Sequence, residues 1–121
     1  MSNTQETPMQ KMMGDFAPTF VSLTDNVLFG QVWSRTGDLP ARDRSLVTIA
    51  SLVTAGNIEQ IHAHIPMGLA NGLTEEEIKE AITHVAFYAG WPRAVSALTV
   101  AQQIFGSPQD NQGGTAMAMS I

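Results

Sequence analysis

The sequence predicts an all-α protein, and three observations predict it. Apolar residues recur at three- and four-residue spacing through most of the chain, helix-starting and helix-stopping residues bracket each such stretch, and no segment alternates apolar with polar side chains as a half-buried strand does. No internal repeat is visible, so the chain reads as one domain over residues 9–105, between a loose start at 1–8 and a flexible tail at 106–121 rich in Gly, Gln, Ser and Asn.

The first helical region covers 9–33, where Met9, Met12, Met13, Phe16, Phe20, Leu23 and Val27 keep near-helical spacing and Pro18 kinks or restarts the helix. A second helix, 40–55, opens with Pro40 in its first turn and stops at Gly56. Its Leu46, Val47, Ile49, Ala50, Leu52 and Val53 are apolar nearly all round, which predicts the buried central helix. The third, 58–71, starts at Asn57 as N-cap with Gln60 three residues on, and ends at Gly72. The fourth opens with the capping box Thr74-Glu-Glu-Glu77, carries the stripe Ile78, Ala81, Ile82, Val85, Ala86 and Ala89, and closes at Gly90. A fifth begins near Pro92 and carries Val95, Leu98, Ala101, Ile104 and Phe105.

Composition narrows the function. With 121 residues and 44% hydrophobic content the chain supports one small core, a size at which self-association helps stability. A net charge of −5 with only 6 Lys+Arg argues against nucleic acid or an anionic membrane surface as partner. No cysteine is present, which removes disulfides, thiolate nucleophiles and Cys-ligated metal sites. The start lacks the basic and apolar runs of a signal peptide, and no stretch is apolar for the roughly 18 residues a membrane span needs, so a cytoplasmic location is expected.

Acid–base chemistry near neutral pH must then look to His62, His64 and His84. His62 and His64 do not make a helical metal chelate, because two residues apart on a helix they point roughly 200° apart, and metal-binding pairs use i,i+4 spacing; no metal site is expected. On the helical wheel Ile58, Ile61, Ile65 and Leu69 form one stripe with His62 at its edge, packed against the core or paired with Glu59, while Gln60, His64 and Met67 share the opposite side. Gln60 lies four residues before His64, where it either orients the imidazole or completes the cap begun by Asn57. Pro66 cannot donate to the carbonyl of His62, which predicts a bend and a freed acceptor. On the fourth helix Glu80, His84 and Tyr88 form a second line beside Phe87, a solvated face or a contact with another subunit. Arg42, Arg44 and Arg93 either clamp a carboxylate or pair with the chain's own acids.

The run Arg42-Asp-Arg-Ser-Leu-Val-Thr-Ile-Ala50, then Glu59-Gln-Ile-His-Ala-His64, Gly68-Leu-Ala-Asn-Gly-Leu-Thr-Glu-Glu-Glu-Ile78 and Tyr88-Ala-Gly-Trp-Pro92 resembles the carboxymuconolactone decarboxylase family, within the wider alkyl hydroperoxidase D-like group. The resemblance covers residues 20–105 and implies a compact helical bundle of that type, assembled as a homo-oligomer, a trimer or hexamer. Peroxidase members of the group carry a Glu followed by Cys-x-x-Cys-x-x-x-His. His64 matches the histidine, but Asn57 and Gln60 stand at the cysteine positions and Ser45 at the glutamate, so thiol peroxidase chemistry is excluded for this chain. The decarboxylase branch implies a cofactor-free proton transfer on a small anionic metabolite. By that resemblance His64 oriented by Gln60 is the acid–base group, His62 or Tyr88 assists, and Arg42 or Arg44 meets substrate carboxylates, with Trp91 beside Tyr88 at the site. The alternative is a noncatalytic member of the same fold whose oligomer binds a small ligand or a partner.

Overall fold

A computed structural model describes residues 5–106 of the chain. Within that range the regular structure is entirely helical: α1 (Pro8–Met13), α2 (Pro18–Ser22), a π-helical segment (Leu23–Val32), α3 (Ala41–Ala55), α4 (Ile58–Ala70), α5 (Glu75–Ala89) and α6 (Trp91–Phe105). The all-α expectation therefore holds for the described residues. The expected tail at 107–121 and the first four residues lie outside them. Two units divide at Ala41 and Arg42.

The N-terminal unit is less continuous than its spacing predicts. Thr7 caps α1 in a full capping box with Gln10, so helix begins at Pro8. Proline at the first position of α2 restarts the chain at Pro18, one of the two roles open to it. Leu23–Val32 then winds as a π-helix, with the Trp33 amide reaching five residues back to the Leu28 carbonyl at 2.8 Å. Thr7 Oγ1 donates to Asp25 at 2.8 Å and ties α1 to this segment.

The second unit holds the larger core. Ile49 and Val53 of α3, Ile61 and Ile65 of α4, Leu73, Ile78, Ile82 and Ala86 of α5, and Ala94, Ala97, Val100 and Ala101 of α6 are buried together. Each buried isoleucine contributes about 1.5–3 kcal/mol through apolar area removed from water. The small side chains of α6 let it lie close against both α4 and α5. The N-terminus of α5 is built as its sequence predicts: Thr74 Oγ1 accepts from the Glu77 amide at 3.0 Å and the Glu77 carboxylate accepts from the Thr74 amide at 2.9 Å. Gly56, Gly72 and Gly90 take the positive φ values that end α3, follow α4 and end α5.

Three sequence expectations need correction. α3 is not buried all round, because Ser45, Ile49 and Val53 fill one face while Val47 on another is 61% exposed in the chain. Asn57 occupies the N-cap of α4, but its side chain makes no capping hydrogen bond. His62 is exposed instead of packed at the core edge, and among the described residues no ion pair joins it to Glu59.

Candidate active site

Gly68 organises the surroundings of His64. A Cβ at position 68 would stand 3.0 Å from Leu73 Cδ1, 3.1 Å from Ile49 Cδ1 and 3.7 Å from Ser45 Cβ, so the missing side chain lets α3 and the turn after α4 close on this point. His64 lies one turn earlier on the same side of α4. The wheel drawn from large apolar residues alone set His64 opposite the core. Adding buried Gly68 rotates the buried face toward His64 and away from His62. His64 is accordingly half-buried, its Nδ1 is shielded from solvent, and burial holds its pKa below the ordinary imidazole value of 6.5. A neutral imidazole in a partly dry setting can accept a proton and, once charged, is a stronger acid than free histidine.

Ser45 lies beside Gly68 with no exposed surface, and its Oγ accepts from Asn71 Nδ2 at 2.9 Å. Arg42 is engaged on α5: its guanidinium donates to Asp43 Oδ1 at 2.8 Å and to the Glu77 carboxylate, whose partner is already the Thr74 amide. These contacts raise the pKa of Arg42, chiefly through Glu77, and lower that of Glu77, chiefly through the Thr74 amide and then Arg42. Arg44 is half-buried with Nε shielded from solvent, and the Thr48 hydroxyl bonds to its carbonyl at 2.8 Å.

The remaining candidates gather elsewhere. Gln60 is exposed, one turn before His64 on α4. Tyr88 and Trp91 stand with His84 and Phe87 on an exposed aromatic ridge, where His84 and Tyr88 have ring centroids 5.2 Å apart and Phe87 and Trp91 meet edge to face at 5.8 Å. Within the chain, then, the geometry gathers Gly68, Ser45 and Asn71, sets His64 one turn away from Gly68 on α4, and holds Arg42 against Glu77. Among the described residues no group of three or more His, Asp or Glu could hold a metal ion, and no helix is long and apolar enough to cross a membrane. Sequence reasoning passed over Gly68 and Asn71. A glycine inside a helix costs about 1 kcal/mol against alanine, and that cost was the available signal of close packing.

Comparison with known proteins identifies the class to which this order of helices belongs. Residues 18–103 match the model of the carboxymuconolactone decarboxylase family, and the chain belongs to that family. It is 39% identical over 93 residues to the 4-carboxymuconolactone decarboxylase of Acinetobacter baylyi, covering 77% of this chain and 69% of that protein. A match of 36% identity over 75 residues to the nitrosuccinic acid decarboxylase of Metarhizium robertsii covers 62% of this chain and about half, 52%, of that protein. Both relatives are named as decarboxylases, and the family expectation drawn from the motifs is met.

Proposed function

We propose that the chain is a cytoplasmic, cofactor-free decarboxylase of a small carboxylated metabolite, with His64 as its acid–base group. The observation that carries this reading is the half-buried His64 beside Gly68, its pKa lowered by burial, in a chain 39% identical to a 4-carboxymuconolactone decarboxylase. In the reaction the bond from carbon to the departing carboxylate breaks and its electron pair delocalises into the substrate's own conjugated carbonyl. Carbon dioxide leaves, and one proton is added at carbon. His64 carries that proton, Gln60 orients the ring from one turn away, and His62 or Tyr88 assists from the rim. Arg42 or Arg44 meets the substrate carboxylate, with Trp91 beside Tyr88.

The exposed aromatic ridge supports assembly into a homo-oligomer, since Phe87 and Tyr88 are 77% and 79% exposed in the single chain. Incubation with carboxymuconolactone and related lactone or β-keto acids, followed by carbon dioxide release, tests the activity. His64→Ala is expected to lower turnover by about 10²–10⁴-fold, the usual share of a general acid–base group. Absence of turnover on every such acid overturns the proposal and leaves the noncatalytic ligand-binding reading, whereas full activity in His64→Ala overturns the role given to His64.

A further inference from the structure

On another side of α4 from His64, the chain forms a second concavity. Gly56, Ile58, Pro92, Arg93 and Ser96 line an open cleft of about 360 Å³ where the start of α4 meets the first turns of α6. That volume falls within the range of small-molecule sites, about 300–1,000 Å³.

The cleft is built around one cation. Arg35, Arg42 and Lys79 each form an ion pair with a carboxylate of the chain, whereas Arg93, like Lys11, makes none among the described residues, and Arg93 alone of these two lines a cleft. The chain has 11 Asp+Glu to 6 Lys+Arg, so a shortage of acids does not account for this. Arg93 is exposed, yet one end of it is held against the chain. Its guanidinium lies over Gly56, where a Cβ would collide with Nη1, and the φ of +75° at Gly56 keeps that position open to glycine alone at low cost. Ser96, three residues on from Arg93, places a hydroxyl on the same side of α6. Ile58 and Pro92 supply apolar walls.

We propose that this cleft is a carboxylate-binding subsite, taking a small organic acid whose carboxylate pairs with Arg93 and Ser96 and whose short apolar body lies on Ile58 and Pro92. A planar guanidinium offers two parallel donors that match a carboxylate. One cation and one hydroxyl suit a monoanionic head, and a phosphate dianion would leave charge and acceptors unmet. The subsite stands on the cleft and its arginine, independently of catalysis at His64.

An amide NMR titration of the full chain with butyrate, and in parallel with inorganic phosphate at fixed ionic strength, tests it. Butyrate is expected to move the amides of Gly56, Ile58 and Ser96. Arg93→Gln, whose folding is checked by amide dispersion, is expected to weaken binding by about tenfold, as loss of a charge-assisted pair does, with Arg93→Lys between the two. His64→Ala is expected to bind butyrate as the parent does. Shifts centred elsewhere, equal affinity in Arg93→Gln, or tighter binding of phosphate than of butyrate overturns the proposal. Turnover is not read, so an inactive protein that binds butyrate here sustains the subsite while failing as a decarboxylase.

Discussion

Asn71 donates through Nδ2 to Ser45 Oγ at 2.9 Å, joining the C-cap of α4 to a residue of α3 that has no exposed surface. The bond fixes the end of α4 against α3 one turn beyond Gly68. Ser45→Ala removes the acceptor and is expected to cost about 0.5–1.5 kcal/mol. Urea midpoints of Ser45→Ala, Asn71→Ala and the double variant measure the coupling. Strictly additive effects would show that the contact contributes no stability.

Gly68 is a helix-interior glycine held for space. Alanine there gains about 1 kcal/mol of helix propensity, and its Cβ crowds two methyl groups at 3.0 and 3.1 Å. The two effects oppose each other, so Gly68→Ala is expected to melt close to the parent. Gly68→Val adds two further methyl groups to that Cβ with no room for them and is expected to lose about 1–3 kcal/mol. Thermal unfolding of the pair is the measurement, and a valine variant as stable as the parent would refute the packing role.

His64 offers a pH signature. Its folded pKa is held below 6.5 by burial, whereas in the unfolded chain it takes the ordinary value. Between those two values the unfolded state binds more protons, so stability rises with pH there. The contribution is fully present above about 6.5 and is lost as pH falls toward the folded pKa. An NMR titration of the imidazole should place its midpoint below 6.5. A His64 midpoint at or above the ordinary value would contradict the burial.

Much of this was legible in the sequence because the signals were local. The Thr74–Glu77 box, the Ile78–Ile82–Ala86 stripe and the stops at Gly56 and Gly90 depend on neighbours a few residues away, and the structure places them as read. The π-helical winding of Leu23–Val32 was not legible, because its residues carry no composition that separates it from an α-helix. At the candidate site, His64 was found from its chemistry. Its side of the helix was misjudged because a glycine does not register as apolar, although Gly68 is buried and a Cβ there would crowd Leu73 and Ile49. Arg42 and Glu77, 35 residues apart, meet only through tertiary folding, so neither residue's spacing could announce the pair.

Glu77 serves both the Thr74 box and Arg42, and one substitution separates the two roles. Its pKa is lowered from 4.5, first by the Thr74 amide and then by Arg42. A lowered carboxylate pKa gives stability that is full above the unfolded value of 4.5 and is lost as pH falls through the folded value. Glu77→Gln keeps an acceptor for the Thr74 amide but removes the charge facing Arg42. This variant is therefore expected to retain the start of α5 while its stability falls less steeply below pH 4.5 than that of the parent. Thr74→Ala removes the cap itself and is expected to cost about 1 kcal/mol at neutral pH. Urea unfolding across the acid range distinguishes the two, and parallel pH profiles for Glu77→Gln and the parent would mean that the charge of Glu77 adds no stability through either contact.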